Sequence, residues 1–284
     1  MRTAYVNGEF VPLEDARISV LDRGFLFADG IYEVTAVLGG KLIDNGPHLE
    51  RLQRSLAEIG LESPVTMDEL TELQLQLVRR NGLSEGGVYL QITRGAAERD
   101  FGFPEGAKPS LVMFTMAKTL LANPMAEKGA SVVTVPDLRW KRRDIKSVAL
   151  LAQVLAKQEA VRQGANEAWM VEDGFVTEGS SSTSFIVTMD GKIVTRPLSN
   201  AVLPGITRQA VMALAEKRGL TLEERAFTVE EAYEAAEAFL TSASTFVMPI
   251  VKIDNRTLSN GAPGPVAREL RALYIEAALA SAVG

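Results

Sequence analysis

The chain has 284 residues, with 30 basic and 36 acidic side chains, a net charge of −6 with its single histidine neutral, and no cysteine. A mildly acidic chain has no electrostatic reason to bind nucleic acid or an anionic membrane, and the missing thiols exclude disulfides, cysteine-ligated metals and thiol catalysis. A single histidine rules out a His-rich metal site, so no metal is expected and demanding chemistry falls to an organic cofactor.

Hydrophobic residues make up 46% of the chain, enough for a packed core, and the length suits about two domains. The first ten residues, MRTAYVNGEF, lack the apolar core of a secretory signal. No apolar run approaches about 18 residues, so a soluble, cytoplasmic protein is expected. In chain order, residues 5–11 read as a hairpin turning at Asn7-Gly8. A strand over 31–38 turns at Gly39-Gly40 and returns through 41–43. Two helices follow. The first carries Leu49, Leu52, Leu56 and Ile59 and stops at Gly60; the second carries Leu70, Leu73, Leu77 and Val78 and stops near Gly82. Strands at 87–93 and 110–116 flank a polar loop, 95–109. After an aperiodic stretch at 118–129 come a strand at 130–135 and a helix at 148–163, with Leu151, Val154, Leu155 and Val161 as its apolar positions. Strands at 167–171 and 185–187 each run into an Asp-Gly turn. Helices at 206–218 and 229–235, strands at 238–240 and 247–253, and a helix at 265–280 complete the chain. The last helix carries Leu270, Leu273, Ile275 and Leu279 as core residues.

Four features carry possible chemistry. Lys146, in Arg142-Arg143-Asp144-Ile145-Lys146-Ser147, falls at the predicted start of a helix. The helix dipole and neighbouring arginines there disfavour an ammonium, as a Schiff-base lysine requires; the alternative is a solvated lysine in a basic loop. Thr177-Glu178-Gly179-Ser180-Ser181-Ser182-Thr183-Ser184 links two predicted strands. Glu178 suits a protonated ring nitrogen and the hydroxyls, Ser182 among them, suit a cofactor lining, although such a run also makes a solvated turn. In Leu203-Pro204-Gly205-Ile206-Thr207-Arg208, the N–H groups of Ile206 and Thr207 at a helix start form a phosphate cup or an ordinary cap. Thr241-Ser242-Ala243-Ser244-Thr245 closes the same cup or is a simple turn. His48 and Arg51 share a helix face, where Arg51 suits a phosphate oxygen or a surface ion pair. A lysine, a carboxylate, a phosphate cup and an arginine are together what pyridoxal 5'-phosphate needs.

With these residues in place, the chain resembles the class IV, fold-type IV pyridoxal-phosphate aminotransferases, and among them the D-amino acid aminotransferases. The resemblance rests on Arg23-Gly24-Phe25-Leu26-Phe27-Ala28-Asp29-Gly30-Ile31-Tyr32-Glu33-Val34, then Asp144-Ile145-Lys146-Ser147, Thr177-Glu178-Gly179-Ser180-Ser181-Ser182 and Gly205-Ile206-Thr207-Arg208, in that order and spanning nearly the whole chain. It implies an α/β (α+β) fold with a small N-terminal domain (1–117), a connector (118–130) and a larger domain with a barrel-like β core (131–284). It also implies a homodimer with an active site between the domains. Lys146 is then the Schiff-base lysine that shuttles the substrate proton, and Glu178 the partner of the pyridine nitrogen. Arg51, Ile206, Thr207, Ser242 and the backbone of Ala243 hold phosphate; Ala243 stands where relatives often have threonine. Leu203 packs on the ring. Tyr32 and Val34 line the substrate pocket, and Glu33 between them points the other way.

D-amino acid enzymes of this family hold the substrate carboxylate with a tyrosine and an Arg-x-His pair from the partner subunit. Here Arg99 matches the arginine and Phe101 replaces the histidine. The implied reaction moves an amino group between D-amino acids of the D-alanine and D-glutamate type and 2-oxo acids such as 2-oxoglutarate or pyruvate, by a ping-pong mechanism. Rival readings are an (R)-selective amine transaminase, favoured by Phe101, a branched-chain L-amino acid transaminase, a lyase of the same fold, and a non-catalytic binding module.

Overall fold

The computed structural model describes residues 2–284. The chain forms two compact units. The first runs to Thr119 and takes in Ile145–Ala149 and Ala278–Gly284; the second comprises Leu120–Asp144 and Leu150–Ala277.

In the first unit, β1 (Thr3–Val6) and β2 (Glu9–Pro12) pair through Val6 and Glu9, so Asn7-Gly8 forms a two-residue turn. Both turn residues have positive φ, 48° and 107°, the conformation that fits the twist of a tight hairpin. A short helix, α1 (Arg23–Phe27), is capped by Asp22. β3 (Gly30–Leu38) and β4 (Lys41–Leu42) flank Gly39-Gly40. Then come α2 (Asn45–Glu58), α3 (Met67–Arg80), β5 (Glu85–Thr93) and β6 (Ser110–Ala117). Thr66 and Glu69 form a reciprocal capping box at the start of α3. The sheet order is β2-β1-β6-β5-β3-β4, antiparallel throughout. Leu49, Leu52 and Leu56 of α2 and Leu70, Leu77 and Val78 of α3 pack on Ile31, Val88, Leu90 and Ile92 of the sheet. β3 therefore turns its odd positions toward the helices and leaves Tyr32 and Val34 half-buried on the opposite face.

Lys146 belongs to this unit. β4 covers only Val37 and Leu38 of β3, which leaves the β3 start open on that edge. The lysine segment occupies it: Tyr32 N–H donates to the Lys146 carbonyl at 3.0 Å, and Val148 N–H to the Gly30 carbonyl at 3.0 Å. Ile145 anchors the segment in the core. At the far end of β4, Leu42 and Val283 exchange backbone bonds.

The second unit contains α4 (Pro124–Lys128), β7 (Ala130–Pro136), α5 (Leu151–Arg162), β8 (Glu167–Glu172), β9 (Phe175–Gly179), β10 (Thr183–Val187), β11 (Ile193–Thr195), α6 (Ile206–Lys217), β12 (Leu222–Glu224), α7 (Val229–Tyr233), β13 (Glu237–Ser242), β14 (Phe246–Ile253), β15 (Arg256–Thr257) and α8 (Pro265–Ala280). Its sheet runs β12-β11-β10-β13-β14-β7-β8-β9, with β15 on β14. β9 is the last strand at one side, yet it passes into β10, near the other side, through residues 180–182 alone. So short a link forces the sheet to curl on itself, which gives the barrel-like core. Trp169, Phe227, Ile186, Met248 and Val132 fill it.

Three expectations change here. The helix predicted at 148–163 begins at Leu151, so Lys146 lies in the segment before it, at a tight turn closed by the Ser147 N–H on the Ile145 carbonyl, and not at a helix N-terminus. That helix turns Ala156 and Ala160 to the sheet, while Leu151, Val154, Leu155 and Val161 are 55–72% exposed. Small residues let the helix lie close to the strands and put the bulky positions outside. In α8 the buried face is Ala267, Leu270, Arg271, Tyr274 and Ala278, and Leu279 is exposed. The apolar count of a helix does not reveal that an arginine sits on its inner face. Among the described residues, no helix is long and apolar enough to cross a membrane, and no cluster of His, Asp and Glu is arranged to hold a metal ion.

Candidate active site

In the first unit, Lys146 Nζ lies 4.3 Å from the centre of the Tyr32 ring. Tyr32 stacks on Tyr89, and Tyr89 on Phe114, an aromatic ladder across β3, β5 and β6. Behind this face, Glu33 is buried and points to α2, as its position on the strand requires. Arg51 donates to both Glu33 oxygens at 2.8 Å, and His48 Nδ1 lies 2.7 Å from Oε2. A carboxylate only accepts, so His48 Nδ1 carries the proton. Burial opposes ionisation of Glu33, but Arg51 and His48 hold its carboxyl far below the usual range. Burial likewise pushes His48 below its ordinary 6.5, against the pull of Glu33. Arg51 is thus part of a buried ionic cluster, not of a surface pair.

In the second unit, Thr177 and Glu178 lie on β9, a strand the sequence reading missed although the Asp173-Gly174 turn before it was visible. Glu178 is buried and accepts from Arg139 and from the Leu203 N–H, at 3.3 and 3.2 Å to its two oxygens. Arg139 is gripped in turn by Asp137, at 3.0 and 2.7 Å, and Asp137 also accepts from Thr177 at 2.6 Å. Burial pushes the Glu178 carboxyl up; Arg139 and the Leu203 N–H pull it back. Arg139 and Asp137 went unnoticed in the sequence. Their alternation at the end of a strand, Asp137-Leu138-Arg139, was the available sign. Arg142 pairs with Asp144 and Arg143 with Glu172, so both guanidiniums have carboxylate partners.

The hydroxyl-rich segments converge. Thr183 opens β10 opposite Thr241 near the end of β13. A Cβ on Gly205 would stand 2.8 Å from Thr183 Oγ1, so the start of α6 abuts the same strand ends. Gly205 supplies no side-chain cap to this twelve-residue helix. The buried hydroxyls of Ser182, Ser184, Thr207 and Thr241 have no hydrogen-bond partner among the described residues. Buried hydroxyls are seldom left so. Of these, Thr207 lies on the uncapped helix start itself and Thr241 stands opposite Thr183 beside it, hydroxyls whose placement fits a phosphate dianion. Leu203, Ser242 and Ala243 are half-buried nearby in sequence to this cup.

Arg99 and Phe101 lie on the 95–109 loop of the first unit, both exposed, Phe101 by 79%. The loop is tied down at its base. Buried Arg23 donates to the Asp100 carbonyl at 2.6 Å and to Asp29 at 2.8 Å. Arg99 lies over the Phe27 and Phe101 rings. Within a single chain, its guanidinium therefore rests on Phe27 of α1 and on Phe101 of its own loop.

Residues 30–253 match the sequence model of the amino-transferase class IV family. The chain is a class IV aminotransferase. The aminotransferase is 42% identical to the D-alanine aminotransferase of Staphylococcus epidermidis over 95% of this chain and 96% of that one. It is 38% identical to the D-alanine aminotransferase of Bacillus licheniformis, with 93% of each covered. The solved structure of the branched-chain aminotransferase of the archaeon Thermoproteus uzoniensis with norvaline superposes with a TM-score of 0.87 at 28% identity, covering 98% of this chain and 95% of that one. A branched-chain amino acid aminotransferase solved with pyridoxamine 5'-phosphate gives a TM-score of 0.89, also at 28% identity, over 98% of this chain and 94% of that one. The aminotransferase has the fold-type IV architecture of these neighbours.

Proposed function

We propose that this aminotransferase is a pyridoxal-phosphate-dependent D-amino acid transaminase, exchanging the amino group between D-alanine- or D-glutamate-type donors and 2-oxo acids in two ping-pong half-reactions. The observation that carries the reading is similarity to D-alanine aminotransferases sustained over 95% of the chain. The two branched-chain enzymes that superpose on it share the fold, but at 28% identity against 42% for the D-alanine enzyme.

Pyridoxal phosphate, when bound, supplies a cationic ring that takes up the electron pair left on the substrate Cα. Lys146 Nζ holds the cofactor and is the base that takes the Cα proton and returns it. Glu178, locked by Arg139 and the Leu203 N–H, keeps a proton on the ring nitrogen. The N–H groups of Ile206 and Thr207, the hydroxyls of Ser182, Thr207 and Ser242, the Ala243 N–H and Arg51 bind phosphate. Leu203 packs against the ring. Tyr32 and Val34 line the substrate pocket, where Arg99 binds the carboxylate and Phe101 adds apolar surface.

A homodimer with shared sites is part of the same proposal. Phe25, Phe101 and Phe103 are 65–79% exposed, and the outer face of α5 carries Leu151, Val154 and Leu155. Apolar groups so grouped on a surface suit a subunit interface. The test is a donor panel with both enantiomers of alanine, glutamate and leucine, and of 1-phenylethylamine. D-alanine and D-glutamate should be the preferred donors. Preference for L-leucine, or for (R)-1-phenylethylamine, would overturn the assignment in favour of the corresponding rival.

A further inference from the structure

Arg271, on the inner face of α8, is a buried guanidinium whose acceptors are main-chain carbonyls. It donates to Thr245 and Val247 at 2.8 and 2.9 Å, and to Leu120 and Leu121 at 2.5 and 3.4 Å. The residue between the first two carbonyls is Phe246, fully buried at φ +59°. A bulky side chain in the left-handed region is an outlier held there by its surroundings. The reason for the strain lies in the β13–β14 hairpin. Ser242 pairs with Phe246, so Ala243, Ser244 and Thr245 form a three-residue loop, which closes through a left-handed residue usually filled by glycine. Two groups on one face of α8 hold Phe246 in that state. Arg271 bonds the carbonyls on either side, and the Tyr274 ring lies 5.2 Å from the Phe246 ring. The order is passed on: Thr245 Oγ1 lies 2.7 Å from Ser242 Oγ.

We propose that Arg271 is a positioning residue for the cofactor phosphate, fixing the Ser242–Ala243 end of the hairpin through the carbonyls that flank Phe246. This rests on the cofactor reading given above. Arg271 acts in a second way. Its charge is not cancelled by a carboxylate partner at these bonds, so it leaves a positive field behind the loop that faces the phosphate.

The experiment compares pyridoxal phosphate with pyridoxal, which lacks the phosphate, on the full-length chain. Release of each is followed by the yellow absorbance after dilution, and the phosphorus NMR resonance of the bound phosphate is recorded. Arg271→Met should release pyridoxal phosphate roughly ten- to a hundredfold faster, the effect of losing charge-assisted hydrogen bonds, and shift the phosphorus resonance. Pyridoxal release should stay unchanged. Arg271→Lys, which keeps the charge and some donors, should recover part of the loss. Thr245→Val, which breaks the hydroxyl link to Ser242, should reproduce it in milder form. Equal losses for both ligands, a variant indistinguishable from the parent, or failure of both Arg271 variants to fold would each overturn the inference, the last by showing a purely structural role. The parent and Thr207→Val separate this from the underlying reading. If the parent does not hold pyridoxal phosphate more tightly than pyridoxal, and Thr207→Val changes nothing, the phosphate cup itself is misplaced.

Discussion

Glu33, His48 and Arg51 form a charge cluster in the core of the first unit, and such a cluster makes stability depend on pH. Both titratable members have folded values below their ordinary ones of 4.5 and 6.5. A group lowered on folding adds stability above its unfolded value, and that stability is lost as the pH falls through the folded value. Stability should therefore be level above about pH 6.5, decline gently below it as unfolded His48 takes up a proton, and fall more steeply below about 4.5. Because the chain has one histidine, its imidazole NMR signals read His48 directly. They should report a titration midpoint below 6.5; a midpoint at or above it would refute the assignment. Glu33→Gln should destabilise the fold by about 3–5 kcal/mol, since it removes the carboxylate from a buried charge pair with Arg51.

Glu178 is the second prediction at this scale. Glu178→Gln keeps shape and loses charge. The neutral amide should still bind cofactor, but it cannot keep the ring nitrogen protonated. Loss of a charge-assisted hydrogen bond worth roughly 1.5–3 kcal/mol lowers kcat about ten- to a hundredfold if fully felt in the transition state. An unchanged kcat would remove Glu178 from the proposed role.

At the scale of elements, the start of α6 depends on a close approach. Gly205 has ordinary backbone angles, φ −66° and ψ 129°, so its requirement is space rather than conformation. A Cβ there would meet Thr183 Oγ1 at 2.8 Å and Arg208 Cβ at 3.2 Å. Gly205→Ala should push α6 away from β10 and spoil the donor array, with a stability loss of about 1–3 kcal/mol as for other overpacked sites. Cofactor affinity should fall with it. Equilibrium dialysis against pyridoxal phosphate checks this; tight binding in the alanine variant would show that the helix start has room to spare. The loop of Arg99 and Phe101 illustrates the same dependence, since its base is set by buried Arg23 and Asp29 rather than by its own residues.

For the whole molecule, the shared-site dimer makes a quantitative prediction. A Lys146→Ala chain and an Arg99→Ala chain each lack one proposed group. If Arg99 serves the site of the neighbouring subunit, a mixed dimer has one site with both groups intact. Equal mixing with free subunit exchange should then restore about a quarter of the parental activity toward D-alanine. No gain over the separate variants, with exchange demonstrated by mass, would place Arg99 and Lys146 in the same subunit's site or take Arg99 out of it.

The sequence by itself determined whatever local chemistry dictates. Asn7-Gly8 and Gly39-Gly40 set their hairpins because left-handed turns need such residues. The leucine spacing set the inner faces of α2 and α3, and strand alternation placed Tyr32 and Val34 opposite Glu33. The ordered motifs around Lys146, Glu178 and Thr207 were enough to indicate the family. Tertiary structure decided the rest. Lys146 has its place because β4 is too short to cover the start of β3, a fact about strand pairing that no window of sequence contains. The apolar stripe of α5 points outward because its alanines fit the sheet more closely. Arg51 meets Glu33, and Arg139 meets Glu178, across 18 and 39 residues. Partners so far apart are chosen by burial: a charge removed from water needs its counter-ion within reach, and only the folded chain shows which one that is.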